Sequence, residues 1–229
     1  NQFISNKKED KVRLNDAYLR LGDAHFVSSE YQEAINAYEK AIKLNNIESD
    51  YPAFQKALSI GYLGKSSLKI QALEDFITDY PKSKFRDDAM YELGNSYVKA
   101  NETDEAMRAY NQLISEYKMS SFVPKGLLRQ GLVYYNSGKN DQALTKFKKV
   151  ANDFPGTPEA VQAVSTARLI YIDIGEVNQY ARWVRTLDYV EVTDVELDNT
   201  TYESAEKQYL DNNVDRAIRG FNDYLNEFP

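Results

Sequence analysis

Ala89-Met90-Tyr91-Glu92-Leu93-Gly94, continuing to Ala106 and Tyr110, and Gly126-Leu127-Leu128-Arg129-Gln130-Gly131, continuing to Ala143 and Phe147, are two copies of one phrase within Ser83 to Pro155. Gly94 and Gly131 lie 37 residues apart, and the same step separates Tyr97 from Tyr134, Asn101 from Gly138, Ala106 from Ala143 and Tyr110 from Phe147. Chance does not keep five pairs in step. A fixed period of roughly 20 to 50 residues identifies a stack of one supersecondary unit, because each unit buries its apolar face only against a neighbour.

The period extends in both directions. Tyr18, Leu21, Gly22, His25 and Phe26 stand at helical spacing, Ser28-Ser29-Glu30 interrupts, and Tyr31, Ala34, Ile35, Tyr38, Ala41 and Ile42 resume as a second amphipathic helix. Asp50-Tyr51-Pro52 opens the next hairpin with Pro in the first helical turn, where its missing N–H costs nothing. The turn series runs Ser29, Gly64, Asn101, Gly138, Gly175, Asn212, in steps of 35, 37, 37, 37 and 37. Gly and Asn enter the left-handed conformation at a helix C-terminus most cheaply. The opening residues Ser83, Ser120, Thr157 and Asp194 are expected to be N-caps, and Pro81, Pro155 and Pro229 to close second helices. Ala34, Ala106, Ala143 and Ala217 supply a small residue in the second helix, with Tyr38, Tyr110, Phe147 and Phe221 four places on filling the gap. Lys69 and Tyr180 break the small series.

The expected fold is therefore all-α, about six helical hairpins in one array over 11–229, with boundaries near 11–46, 50–81, 83–118, 120–155, 157–192 and 194–229. Residues 1–10 form an N-terminal extension that frays unless Phe3 and Ile4 dock on the first helix.

The pattern aromatic-x-x-Leu-Gly-x-x-Tyr, then Gly or Asn, then Ala-x-x-x-Tyr/Phe, then Pro, resembles the tetratricopeptide repeat (TPR), most closely in Tyr18 to Ala41, Met90 to Leu113 and Leu127 to Pro155. That resemblance implies a right-handed α-α superhelix, with the 37-residue period adding about three residues to the family's 34. Tyr80-Pro81-Lys82-Ser83 and Phe154-Pro155-Gly156-Thr157 are similar to phrases in the repeats of bacterial envelope scaffolds, such as the outer-membrane assembly lipoprotein and the Tol-Pal coordinator. A periplasmic or envelope-associated location follows from that likeness, with the cytoplasm as the alternative. The fifth copy departs from the pattern, since Arg168 falls where Gly22, Gly94 and Gly131 stand and Tyr180 where Ala belongs. Either that hairpin slides by one residue, bringing Ala167 and Ala181 into place, or the superhelix opens there. The linker Tyr189 to Leu197 reads as extended.

The composition narrows the function classes. Net charge is -7, with a single His and no Cys, and pI is near 5.0 with mean hydropathy -0.61. An acidic chain without a basic face disfavours nucleic acid, and no run of 18 apolar residues could cross a membrane. Neither an initiator Met nor an apolar leader opens the sequence, which reads as a piece of something longer. One His and no thiol leave no usual transition-metal site. Asp194-Val195-Glu196-Leu197-Asp198 fails as a calcium loop, because Asn199 and Ala205 stand where Gly and Glu are required. The glycines are spent at repeat turns rather than in a phosphate loop. His25, at the position held elsewhere by Ile60, Tyr97, Tyr134, Tyr171 and Gln208, reads as a packing ring. No enzyme and no cofactor are expected.

A partner is the remaining expectation. The family's geometry places a binding groove along the first helices, here at Tyr51, Phe54 and Tyr62, at Tyr91, Asn95 and Lys99, at Lys125, Arg129 and Tyr135, and at Tyr202 and Tyr209. Tyrosines offer contact area at low entropic cost, but many of the 18 here fill packing positions. Lys125 and Arg129 match half of the clamp by which some members hold a C-terminal carboxylate. The other half is absent, since Phe54, Leu58 and Glu92 replace its Lys and Asn residues. Three readings stay open: a scaffold binding a protein or peptide, a structural spacer or homo-oligomer joined through the array ends, and a glycan- or peptidoglycan-contacting envelope module.

Overall fold

The computed structural model describes residues 2–44 and 49–228, with side chains from Lys11 onward. Its described residues form helices without strands: α1 Gln2–Val27, α2 Tyr31–Leu44, α3 Asp50–Tyr62, α4 Ser66–Asp79, α5 Arg86–Lys99, α6 Thr103–Glu116, α7 Phe122–Asn136, α8 Asn140–Asp153, α9 Pro158–Ile174, α10 Val177–Val184, α11 Asp194–Leu210 and α12 Val214–Glu227. They fall into two compact units, Asn1–Phe122 and Val123–Pro229. The expected docking of Phe3 and Ile4, the end of the first repeat at residue 46 and the closing Pro229 lie outside what is described.

The turns explain the period. All six expected turn residues have positive φ, from 59° at Asn212 to 75° at Gly64 and Gly175, including Ser29 at 61°. Each lets the N–H of the following residue reach back to the carbonyl five places before it: Glu30 to His25, Lys65 to Ile60, Glu102 to Tyr97, Lys139 to Tyr134, Glu176 to Tyr171 and Asn213 to Gln208. These bonds satisfy carbonyls that a helix end would otherwise leave bare.

Inside a hairpin the contact is a glycine against an aromatic face. A Cβ on Gly22 would lie 2.5 Å from Tyr38, and one on Gly94 or Gly131 would lie 2.4 Å from Tyr110 or Phe147. These three rings are wholly buried. The phenols also find acceptors one residue past the glycine: Tyr38 Oη donates to Asp23 at 2.8 Å and Tyr110 Oη to Asn95 at 2.8 Å. Where the ring is Phe147, the residue after the glycine is Leu132, which needs no donor.

Residues 2–10 are helical and run into the rest of α1, in a stretch that contains neither Gly nor Pro. Of the four expected N-caps, Thr157 caps its helix, accepting from Ala160 N–H at 3.2 Å, and Ser120 Oγ accepts from the N–H of Phe122, the first residue of α7, at 3.0 Å. Asp194 is the first helical residue, and Thr193 caps α11 through Glu196 N–H. Ser83 and Ser120 precede α5 and α7 by a turn, where their hydroxyls donate to Asp50 at 2.7 Å and Asp87 at 2.6 Å. Each serine thus ties one hairpin to the first helix of the hairpin before it. Pro124 takes the place of that aspartate one period later, and Thr157 donates its hydroxyl to the Phe154 carbonyl at the end of α8 at 2.8 Å.

The irregular hairpins show two compensations. In the second, the Lys69 stem lies over Gly61, whose added Cβ would meet Lys69 Cδ at 2.5 Å, and its ammonium pairs with Glu92 at 2.6 Å. In the fifth, the expected one-residue slide is half realised. Ala167 is fully buried, while Tyr180 rather than Ala181 enters the core, against Tyr171 and Trp183. The Arg168 guanidinium turns out to α11, donating to Thr200 Oγ1 at 2.8 Å and pairing with Glu203 at 3.0 Å. Accommodating Tyr180 accompanies a short α10 of eight residues. The linker after it is non-helical only as far as Thr193, and Tyr189 Oη fastens it to the Ala151 carbonyl at 2.9 Å.

Candidate partner-binding surfaces

In the first unit, α3 and α5 place six of the expected groove residues, with different outcomes. Phe54 is a correction: it is 2% exposed in the core, stacked on Phe85 and tilted against Phe76, in a hairpin where Ala57 and Leu73 stand in place of the glycine and the aromatic ring. Tyr51 gives its hydroxyl to Asp23 at 2.7 Å. Tyr91 is half-buried against Tyr110 and Phe122, and Asn95 is the acceptor of Tyr110. Tyr62 is presented: it is 62% exposed, stacked on Tyr31 at 4.8 Å and 12°, with Phe26 edge-on at 5.5 Å. Lys99 is exposed, and it lines with Asn95, Ser96, Gly61, Ser66 and Lys69 a cleft of about 150 Å³. Tyr31 escaped the sequence reading because it opens a second helix, outside the first-helix positions expected to line a groove.

In the second unit, α7 holds three of the other five and α11 holds Tyr202 and Tyr209. Lys125 is half-buried and Arg129 exposed, one helical turn apart. Tyr135 Oη approaches Asp173 of α9 at 3.5 Å, and Asp173 meets Lys207 of α11 at 3.7 Å. A polar row thus crosses the first helices of three successive hairpins. Asp173 and Lys207 occupy different repeat registers, so the 37-residue comparison gave no signal for them. Tyr202 turns toward its own hairpin mate, against Phe221 and Tyr224, whereas Tyr209 is exposed.

His25 Nδ1 lies 2.5 Å from Glu30 Oε2 at the first turn, a local contact across the hairpin bend. Among the described residues no group of three acidic or imidazole side chains converges as a metal site, and no helix is long and apolar enough to cross a membrane.

Two phenols give a pH prediction. Burial and then the hydrogen bond to Glu74 push Tyr97 up to about 12, and burial with the bond to Asp23 does the same for Tyr51. The folded chain therefore holds these protons more tightly than the unfolded chain, whose phenols titrate near ~10. The stability they contribute is complete below about pH 10 and is lost as pH rises through about 12. In thermal melts taken across that window, Tyr97→Phe is expected to show a shallower loss of Tm than wild type. Equal slopes would mean that the Tyr97–Glu74 bond carries no proton linkage.

The sequence matches tetratricopeptide-repeat family models over residues 16–46, 88–118 and 125–157. Those three segments are tetratricopeptide repeats. The matched segments hold the three glycine–aromatic contacts, and in the hairpins outside them Ala57, Arg168 and Ala205 stand where that glycine would be. No curated protein matches the sequence. Among solved structures, MamA is similar with a TM-score of 0.60 at 19% identity, over 86% of this chain and 92% of that one. A MamA from Desulfovibrio magneticus RS-1 is similar with 0.60 at 11% identity, over 76% and 93%. PilF of Pseudomonas aeruginosa is similar with 0.62 at 12% identity, over 96% and 94%. At these identities the likeness is one of fold, an α-α solenoid of TPR hairpins. Repeats of this kind form protein–protein interaction scaffolds, in general without catalysis.

Proposed function

We propose that the chain is a non-enzymatic scaffold that takes a peptide or partner surface on its first-helix faces, at Tyr62 and Lys99 in the first unit and at Lys125, Arg129 and Tyr135 in the second. The observation that carries this reading is the Tyr62 platform. An aromatic ring exposed over most of its surface yet held by a stacked and an edge-on neighbour loses little entropy on binding. Lys99 and Arg129 add cationic rims that suit an acidic or carboxylate-bearing partner and raise the rate of encounter more than the affinity. We also place the protein in a bacterial periplasm or envelope, on the likeness of its Tyr-Pro-Lys-Ser and Phe-Pro-Gly-Thr phrases; fractionation of the source organism tests this.

Affinity capture from the source lysate compares wild type with Tyr62→Ala/Lys99→Glu and with Arg129→Glu, all at exposed positions that leave the helical spectrum unchanged. A partner is expected to be held by wild type and lost by at least one variant, which assigns it to that unit. Recovery of the same proteins by all three would remove these residues from the recognition surface.

A further inference from the structure

The fifth hairpin departs from the repeat in the interior of the sequence, with a hairpin before it and another after. Its second helix, α10, has 8 residues, where α4, α6, α8 and α12 each have 14. Val184 stands in it at the position that Tyr110 and Phe147 hold in their hairpins. The linker that continues from α10 covers α9 only in part: Val161 is 53% exposed, while Pro124, one period earlier, is buried. What remains between α9, α10, the linker and the start of α11 is a cavity of about 320 Å³, at the lower end of the roughly 300–1,000 Å³ usual for ligand pockets.

Val161, Val164, Tyr189 and Val190 give this cavity apolar walls. Its polar groups are unevenly matched. Tyr180 also lines it and is 2% exposed, and its hydroxyl makes no hydrogen bond among the described residues. Such a group normally has a partner when it is buried. Burial first and then Glu196 push the Tyr180 phenol up, with Arg168 opposing, so the carboxylate outweighs the guanidinium where that oxygen lies. Arg168 is already engaged by Thr200 and Glu203. Glu191 and Glu196, both lining the cavity, make no ion pair among the described residues. The unmet demand is for positive charge beside an apolar body, with a hydrogen-bonding head in reach of Tyr180.

We propose that this cavity binds a compact amphiphilic cation, a ring or short alkyl chain ending in an ammonium, with its body against Val161, Val164 and Tyr189 and its head shared by Tyr180 Oη and Glu196. A free amine and a lysine side chain of a partner peptide both have this chemistry. The site is separate from the Tyr62 and Arg129 faces, and its charge preference is opposite to theirs.

Proton–nitrogen correlation NMR on the 229-residue chain tests this, since Trp183 is the single tryptophan, lies 6.3 Å from Tyr180 between ring centroids and reports through its indole N–H. The probes are phenethylammonium chloride, the peptide acetyl-Gly-Lys-Gly-amide and, as an anion of similar body, hydrocinnamate. At least one cation is expected to give saturable shifts at the Trp183 indole and the Val190 amide, and the tighter of the two identifies the source. Hydrocinnamate is expected to bind at least about tenfold more weakly than that cation. Tyr180→Phe, which keeps the ring, and Glu196→Gln are each expected to weaken the cation by about tenfold, with helical content unchanged by circular dichroism. No saturable shift from either cation at about 10 mM would leave water as the occupant and overturn the proposal. So would equal binding of hydrocinnamate, or binding that both variants leave unchanged.

Discussion

Replacing Ala143 with glutamate is expected to remove most of the stability of the hairpins around α8. Ala143 is wholly buried, and its position in the repeat is the one where small residues allow two helices to approach. A carboxylate there meets no solvent, and it adds four heavy atoms to a wholly buried position. Burying an unpaired charge is among the few single changes that exceed about 4 kcal/mol, a large share of the roughly 5–15 kcal/mol that holds an ordinary domain together. Ala143→Ser, which adds one atom that can bond the carbonyl four residues back, is expected to cost about 1 kcal/mol. Urea melts followed by circular dichroism compare the two. A glutamate variant that melts with wild type would place Ala143 on the surface and break the register of the whole array.

The second large effect is expected at Gly94. Any side chain there gains helix propensity, about 1 kcal/mol for Ala over Gly, but its Cβ would lie 2.4 Å from Tyr110 Cε1. The ring cannot swing aside, because it is fully buried and its hydroxyl is held by Asn95. Overpacking therefore outweighs propensity, and Gly94→Val is expected to destabilise the first unit by about 3 kcal/mol. Gly138→Ala is the informative contrast. No atom lies within 4 Å of its added Cβ, and only the left-handed φ of 70° opposes it, at a cost of about 1 kcal/mol. Shrinking the ring in Gly94→Val/Tyr110→Leu is expected to restore part of the loss. A double mutant no more stable than Gly94→Val would show that the clash lies elsewhere.

The elements legible in the sequence are those set by local backbone sterics. Ser29, Gly64, Asn101, Gly138, Gly175 and Asn212 could be picked out because few residues tolerate a left-handed turn, and the period carries that requirement along the chain. The recurrence of Gly22, Gly94 and Gly131 was legible too, but not that each lies beneath the ring of Tyr38, Tyr110 or Phe147, because the sequence pairs those rings with the alanines four places before them. What escaped depended on partners far away in sequence. Ser83 and Ser120 have the composition of N-caps, but each finds an aspartate 33 residues upstream and gives its hydroxyl to it. Phe54 lies on a first helix, yet Phe76 and Phe85 take it into the core. On the candidate surfaces, spacing could name the first-helix positions but could not tell that Tyr51 is spoken for by Asp23, or that Tyr135, Asp173 and Lys207 form a row out of repeat register.

The pairing of each buried ring with the residue after its glycine limits how such a gene can be rearranged. Asp23 with Tyr38, Asn95 with Tyr110 and Leu132 with Phe147 are matched sets, each split between the two helices of one hairpin. A crossover in the turn at Asn101, joining α5 to α8, would set the Asn95 amide against the Phe147 ring, with no phenol to donate to it; the reciprocal product would leave the Tyr110 hydroxyl facing Leu132. Each loses a buried hydrogen bond, at about 1–3 kcal/mol, while a crossover in the link between hairpins keeps all three sets whole. Whole hairpins, not single helices, are thus the units that recombination can duplicate, delete or exchange without first breaking the fold.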